Sequence, residues 1–207
     1  MGQNEKKGWI VAGERPEEKY LGDAVKFYSN EGLGYEKNAI KNIQSKILLR
    51  GLQLINFPSN SYLLDAGCGT GLGMEILKEL GFKVQGVDVS IELLKIAKAK
   101  KLKVTLGDMR SLPFKKGGFD GIVSISALQW VSGREGVEGK RDVQAVASEF
   151  FRILIPKGKA LIQFYPKSEE EAMETGKAFK TAGFKVTLQI DNENNAKKRR
   201  VYLLLEK

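Results

Sequence analysis

The run Asp65-Ala66-Gly67-Cys68-Gly69-Thr70-Gly71 decides the fold of this chain. It follows a short apolar segment, Ser61–Asp65, and comes just before a predicted helix, Gly73–Leu80. Glycines at this spacing allow a sharp turn from strand to helix, and they let a ligand approach the main chain because no Cβ atom stands in the way. A buried turn would also explain such a run, so its meaning depends on the rest of the chain.

Strands and helices alternate along most of the sequence, with short connections between them. This pattern predicts a parallel sheet with helices on both faces. About ten residues separate the last two predicted strands, which is too few for a crossover, so these two should pair antiparallel. We therefore expect an α/β protein with a seven-stranded, mostly parallel sheet and one antiparallel strand. The predicted strands are Ser61–Asp65, Lys83–Asp88, Lys103–Gly107, Gly118–Ser126, Ala160–Phe164, Phe184–Ile190 and Val201–Leu205.

The N-terminal quarter of the chain has a different pattern. Residues 1–35 are rich in glycine and charge, whereas apolar residues recur at helical spacing from Tyr35 to Ile55. We expect residues 1–55 to form an arm and a lid helix, and residues 56–207 to form one compact unit.

Composition limits the chemistry that the protein can perform. Its 207 residues include one cysteine and no histidine, so a disulfide framework, a histidine base and a histidine metal ligand are excluded, and we expect no bound metal. With 34 Lys and Arg against 25 Asp and Glu, the net charge is +9. Such a charge suits a nucleic-acid partner, and equally a soluble protein kept apart by repulsion.

No targeting or membrane segment is apparent in the sequence. The N-terminal residues contain no apolar core of the kind found in secretory signals, and no apolar run approaches the roughly 20 residues that span a membrane. We therefore expect a soluble, cytoplasmic protein.

Three aspartates follow predicted strands at the same edge of the sheet. Asp65 heads the glycine run, Asp88 ends the second strand and Asp108 follows the third. Each alone could be a solvated loop residue or a helix cap. Because ligands of open parallel sheets bind at the carboxyl ends of the strands, all three together favour a binding site in which Asp88 holds the hydroxyls of a ribose.

Two other nucleotide-binding loops match less well. A Walker loop requires Gly-Lys-Ser/Thr, whereas this loop continues as Gly71-Leu72-Gly73. A dinucleotide-binding loop carries no acid before its first glycine, whereas Asp65 stands just before the glycines here. An acid at that position suits a ligand with a cationic amino-acid end better than it suits a pyrophosphate.

The glycine loop, Asp88 and Gly107-Asp108 together resemble the Rossmann-like class I S-adenosylmethionine-dependent methyltransferases. Within these, the chain is similar to the small-subunit (18S-type) rRNA guanine-N7 methyltransferases of eukaryotes, over roughly residues 15–206. The closer resemblance rests on Arg15-Pro16-Glu17, Tyr28-Ser29-Asn30, Ile43-Gln44, Arg50–Leu54, Ser124–Trp130 (SISALQW), Gln163–Lys167 (QFYPK), and the segment from Ala182 to Leu203.

The resemblance implies S-adenosylmethionine as cofactor. Asp65 would lie near its methionine amino group, Asp88 at the ribose and Asp108 at the adenine amino group. Met109 would pack against the adenine, and Ser124 would line the methionine side. The implied cofactor-binding residues are Asp65, Gly67, Cys68, Gly69, Asp88, Val89, Asp108, Met109 and Ser124.

The resemblance also implies methyl transfer to guanine N7. This nitrogen carries a lone pair and no proton, so it needs no general base, which fits the absence of histidine. We expect a neutral, aromatic acceptor pocket in which a flipped guanine stacks on an aromatic ring and Gln129 reads its edge. The candidate rings are those of Trp130 and Tyr165, and ordinary packing is the alternative explanation for both. The candidate catalytic residues are Gln129, Trp130, Tyr165 and Pro166.

The arm and two outer surfaces are further candidates. Tyr28, Tyr35 and Asn38 would close over the cofactor as a lid. RNA phosphates would contact Lys197–Arg200, although a solvated turn explains this cluster as well. The partner in this family is a small zinc-binding activator protein, which would add a strand along the edge strand 103–106.

Two other functions stay open at this point. One is a class I methyltransferase that acts on a small molecule, and the other is a cofactor-binding ribosome-assembly scaffold without catalysis.

Overall fold

The computed structural model describes residues 19–20, 23–31, 38–132, 136–195 and 197–207, with the backbone alone for 29–31 and 38–41. Residues 15–17 and Tyr35 of the sequence predictions lie outside the described residues, as does the side chain of Asn38. In chain order the elements are α1 (Ala24–Glu31), α2 (Asn38–Leu54), β1 (Tyr62–Ala66), α3 (Leu72–Glu79), β2 (Lys83–Asp88), α4 (Ile91–Ala99), β3 (Val104–Leu106), β4 (Phe119–Ile125), α5 (Gln129–Ser132), α6 (Gly136–Ile153), β5 (Leu154–Phe164), α7 (Glu169–Thr181), β6 (Lys185–Asp191) and β7 (Arg200–Glu206).

The strands form one seven-stranded sheet in the order β3-β2-β1-β4-β5-β7-β6. β7 runs antiparallel to both β5 and β6, and the other pairs are parallel. The prediction of a mostly parallel sheet with one reversed strand is confirmed. Strand order changes direction between β1 and β4, and a crevice forms at the carboxyl ends of strands where this happens.

Alternating side chains of β1 show how the two faces of the sheet are buried. Leu63 packs into the cluster that holds Leu48 of α2 and Met74 of α3, while Leu64 packs into the cluster that holds Phe150 of α6. Successive residues of a strand point to opposite faces, so helices cover both faces, as predicted. Full burial of each such side chain contributes about 1.5–3 kcal/mol.

Two element boundaries differ from the sequence prediction. α6 begins at Gly136, inside the segment 132–140, whose glycines and charges are typical of a loop. Its exposed charged residues pair with neighbouring elements, such as Lys140 with Glu174 at 3.0 Å, while Val143, Val146 and Phe150 on its other face are buried, so a charged composition there is compatible with a helix. β5 begins at Leu154, before the predicted start at Ala160, and it follows α6 directly.

Three apolar residues of the strands are only half-buried. Val104 and Val186 belong to β3 and β6, the two edge strands of the sheet, where one side lacks a neighbour. Ile125 ends β4 and lines a cavity. Their apolar character therefore reflects membership of a strand more than full burial.

The helix α2 is tied to the far side of the sheet. The hydroxyl of Tyr202 donates to the carbonyl of Ile47 at 3.2 Å, and Arg50 pairs with Asp191 at 2.8 Å. Gly51 gives the close approach, because a Cβ atom there would lie 2.7 Å from Leu161. Within the described residues, none of the helices has the length and apolar character needed to cross a bilayer.

Alanine substitutions at two glycines should have opposite effects on stability, because one glycine is tightly packed and the other is not. In Gly121→Ala the new Cβ would lie 2.6 Å from the Phe57 ring and 2.7 Å from Leu63, so the free energy of unfolding should fall by about 1–3 kcal/mol. In the control Gly176→Ala, within α7, the atoms nearest to the new Cβ are 3.7 Å away. The free energy of unfolding of this variant should rise by about 0.5–1 kcal/mol. Urea denaturation measures both, and equal effects would contradict this account of the packing.

Candidate active site

A cavity of about 210 Å³ opens at the carboxyl ends of β1, β2 and β4. The glycine loop forms its floor, and Asp23, Val25 and Tyr28 of the arm line it from the other side. It therefore lies at the switch point of the sheet, between the loop that decides the fold and the N-terminal arm.

Two positions of the glycine loop require glycine, because of their backbone conformation and because a Cβ atom at each would clash with a different neighbouring side chain. Gly67 and Gly71 have φ values of 81° and 85°, a conformation that residues with a Cβ rarely adopt. A Cβ on Gly67 would lie 2.3 Å from Ala127, and one on Gly71 would lie 2.2 Å from Leu102. The amide of Gly67 also donates to the Val87 carbonyl at 2.8 Å, which holds the loop against β2.

Asp65 lies in β1 just before this loop, lines the cavity and is only 5% exposed. Among the described residues, no group donates a hydrogen bond to its carboxylate. Burial, together with the charge of Asp88, raises the pKa of Asp65 to about 7. A buried acid that lacks a partner and lines a cavity favours a ligand that brings its own positive charge.

Asp88 ends β2 and is held in place by the main chain. Its two carboxylate oxygens accept from the amides of Gly69 at 2.8 Å and Ser90 at 2.9 Å. Burial raises the pKa of Asp88, and these backbone donors oppose that shift. Each carboxylate oxygen has a second lone pair, so the group can still accept from ligand hydroxyls.

An arginine that the sequence analysis did not single out fixes the loop after β3. Arg110 lines the cavity, pairs with Asp108 at 2.6 Å and reaches Asp142 of α6 at 2.8 Å. Asp108 and Met109 line the same part of the cavity. Nothing in the sequence distinguishes Arg110 from other surface arginines, because its partner Asp142 is distant along the chain.

Trp130 lies on the cavity wall beneath two rings of the arm. The Phe27 ring is 5.0 Å and the Tyr28 ring 5.6 Å from the Trp130 ring. Tyr28 lines the cavity, at the place where a lid would close. Phe27 was missed from the sequence, where nothing marks an arm residue as the partner of a distant tryptophan.

One predicted cofactor residue, Ser124, does not line the cavity. Ser124 is 1% exposed and donates to the Ala66 carbonyl at 2.8 Å. Its neighbours Val123 and Ile125 line the cavity instead, because side chains alternate along β4. The other predicted cofactor residues all line the cavity, namely Asp65, Gly67, Cys68, Gly69, Asp88, Val89, Asp108 and Met109.

The remaining acceptor candidates, Gln129, Tyr165 and Pro166, are not among the residues that line the cavity. Tyr165 and Pro166 follow β5, and the Arg200 guanidinium lies 5.5 Å from the centre of the Tyr165 ring. Gln129 is buried at the start of α5 and donates to the Ser126 carbonyl at 2.7 Å. Ser126, which does line the cavity, was not selected from the sequence.

Comparison with known proteins agrees with this arrangement. A family model described as a methyltransferase domain matches residues 64–162. The 18S rRNA (guanine-N(7))-methyltransferase of Bos taurus is 34% identical over 203 residues, which cover 93% of this chain and 71% of that protein. The 18S rRNA (guanine(1575)-N(7))-methyltransferase of Saccharomyces cerevisiae is 35% identical over 159 residues, 74% of this chain and 58% of that protein.

Solved structures share the fold at lower identity. A chain from the complex between the Haloferax volcanii Trm112 methyltransferase activator and a methyltransferase has a TM-score of 0.64 at 16% identity, covering 94% of this chain and 99% of that one. The PH0226 protein of Pyrococcus horikoshii has a TM-score of 0.65 at 17% identity, covering 83% of this chain and 92% of that one. With a third of its residues identical along most of the bovine enzyme, the chain belongs to the 18S rRNA guanine-N7 methyltransferase family of S-adenosylmethionine-dependent methyltransferases.

Proposed function

We propose that this protein transfers the methyl group of S-adenosylmethionine to N7 of a guanine in small-subunit rRNA. The observation that carries the proposal is the Asp65 carboxylate, buried without a hydrogen-bond partner among the described residues and lining the cavity of a chain in this family. The amino-acid end of the cofactor carries the ammonium group that such a carboxylate lacks. When bound, the cofactor supplies an electrophilic sulfonium methyl group.

The residues around the cavity fit this cofactor from end to end. Asp65 would pair with the ammonium group, and Asp88 would accept from the ribose hydroxyls with its remaining lone pairs. Asp108 would accept from the adenine amino group, and Met109 would pack on the adenine face. Gly67, Cys68, Gly69 and Val89 line the cavity between these carboxylates, where a ligand can approach the main chain closely.

The protein's own part in the transfer is positioning and exclusion of water. Guanine N7 is already a nucleophile, so alignment of N7 with the methyl carbon and sulfur supplies most of what is needed. Trp130, under Phe27 and Tyr28, forms an apolar wall that keeps water away. Gln129, Tyr165 and Pro166 follow β4 and β5, and we assign them to the base that is flipped out of the RNA.

The rRNA would approach across the connection between β6 and β7. Lys197 and Lys198 are exposed there and can contact phosphates. Arg199 is not available in this way, because its guanidinium donates to the Glu193 carbonyl and is buried. It holds the connection in place for its neighbours.

A zinc-binding activator would dock on β3. Within the described part of the chain this strand pairs only with β2, so its other edge has backbone groups available for an added strand. Leu106 on this strand is 54% exposed, which gives the partner an apolar contact. The Haloferax volcanii complex supports such a partner, since its methyltransferase is bound to an activator.

Cofactor affinity should rise with pH up to about 7. The pKa of Asp65 is raised to about 7, so below that pH a proton must leave before the carboxylate can pair with an ammonium group. Well below the pKa, each pH unit should therefore change Kd about tenfold. Asp65→Asn should weaken binding and remove this dependence, while Asp191→Asn, outside the cavity, should keep it. Calorimetry from about pH 5 to 7 tests this, and a flat wild-type profile would contradict it.

Labelled methyl groups should appear in small-subunit rRNA. Wild-type protein with labelled cofactor is offered total RNA and, separately, a metabolite extract, and N7-methylguanine is mapped by chain cleavage. Asp88→Ala, which removes the ribose contact and the Gly69 support, is the cofactor-binding control. Label found only in small molecules would contradict the assignment of RNA as the methyl acceptor. Biological function that survives Asp88→Ala would favour a scaffold.

Co-expression with a zinc-ribbon partner should raise the soluble yield and the activity. Leu106→Asp should reduce co-purification about tenfold or more, because a charge replaces the apolar contact on the edge strand. Leu80→Asp is the matched control, since Leu80 is 52% exposed but lies at the end of α3. Equal solubility and activity of the chain alone would argue against the partner.

A further inference from the structure

Three polar side chains form a connected group where β4 and β5 end. The amide of Ser126 donates to the Gln163 carbonyl at 2.9 Å, and the Ser126 hydroxyl donates to Oε1 of Gln163 at 2.9 Å. The Ser126 carbonyl accepts from Nε2 of Gln129 at 2.7 Å. The group therefore links the segment after β4 to the end of β5 and to the start of α5.

These contacts determine which end of the Gln129 amide is the oxygen. A carbonyl can only accept, so the group facing Ser126 must be the NH₂, and Oε1 is the other end. Oε1 is buried and has no hydrogen-bond partner among the residues that the structure describes, and the whole residue is 7% exposed. Buried acceptors without partners are uncommon in folded proteins, and this one is turned away from the contact that fixes its amide.

The backbone just before Gln129 is held in an energetically strained conformation. Ser126 has a φ of 56°, in the left-handed region where residues other than glycine are strained, and such strain clusters at functional sites. Ser126, Ala127 and Trp130 all line the cavity. Gln129 thus belongs to a wall segment whose conformation is maintained by hydrogen bonds to Gln163.

We propose that Oε1 of Gln129 accepts a hydrogen bond from the 2-amino group of the target guanine, and that Ser126 and Gln163 are positioning residues for this contact. The inference rests on the proposed function and deepens it. The 2-amino group is a donor that adenine lacks, and it lies on the minor-groove edge of the base, whereas N7 lies on the major-groove edge. Gln129 can therefore select guanine while N7 stays open to the methyl group.

The base reaches Oε1 only when neighbouring side chains move, because this atom is buried. Phe27 and Tyr28 cover the adjacent Trp130, and their displacement would let a flipped base enter beside it. The hydrogen bond then satisfies an acceptor that has no partner within the described part of the chain, so guanine is favoured over a base that has no donor at this position.

The test removes each partner of the proposed hydrogen bond in turn, the 2-amino group of the base and the side-chain amide of Gln129. A small-subunit rRNA fragment carries the mapped target as guanosine or as inosine, which keeps N7 and lacks the 2-amino group. For the wild type we expect kcat/KM to be about 10- to 100-fold lower with inosine. For Gln129→Met the guanosine value should fall to about the inosine value, so that the ratio approaches one, while S-adenosylhomocysteine binding stays within about twofold of wild type.

Two further variants separate recognition from structure. Ser132→Ala changes a second buried polar group of α5, one that also has no partner among the described residues, and it should leave the guanosine-to-inosine ratio unchanged. Gln163→Leu removes the hydrogen bond to the Ser126 hydroxyl and should lower the ratio partway, again with normal S-adenosylhomocysteine binding.

The outcomes distinguish this inference from the proposed function. Equal wild-type rates on guanosine and inosine would overturn the role of Gln129, and this comparison needs no variant. A Gln129→Met protein that binds cofactor and retains the full ratio would overturn it as well. A wild-type protein that binds cofactor but does not methylate the guanosine RNA at N7 would contradict the proposed function instead.

Discussion

Two buried carboxylates, Asp65 and Asp88, lie close enough for the charge of one to raise the pKa of the other, and the rest of the site depends on holding them there. Asp88 is stabilised by amides of the glycine loop and of the residue before α4. Among the described residues Asp65 receives no such hydrogen bonds, and its carboxylate lies beside Gly73 in the first turn of α3, whose N-terminal dipole favours a negative charge. Burying two negative charges side by side costs free energy, which the apolar clusters on both faces of the sheet must offset. A rigid core is therefore a condition for the binding site.

The sequence was most informative where a pattern repeats. Alternating apolar runs predicted seven strands, and the short last connection predicted the antiparallel pair. The three aspartates could be placed at one edge because the ends of parallel strands meet there. Ser124 lies off the cavity wall although it belongs to such a strand end, since a shift of one residue along a strand moves a side chain to the opposite face.

Features that depend on distant partners could not be predicted. Arg110 matters through Asp142 on another helix, and Phe27 through Trp130, and neither residue carries a local signal. The start of α6 was hidden because a charged, glycine-containing segment is typical of a loop when its partners are unknown. The strained conformation of Ser126 depends on Gln163 in a neighbouring strand. Tertiary contacts decide each of these positions, and the local sequence decides none of them.

The single cysteine, Cys68, lies within the glycine loop, and its surroundings make it chemically quiet. Burial and the charges of Asp65 and Asp88 raise the pKa of its thiol far above its ordinary value. Thiolate is the reactive form of cysteine, so this side chain reacts slowly with maleimides and other electrophiles. A cysteine introduced on α1 and another on α4 would then take fluorophores selectively, with the native residue left in place. Distances between arm and body become measurable by energy transfer in the otherwise unaltered enzyme.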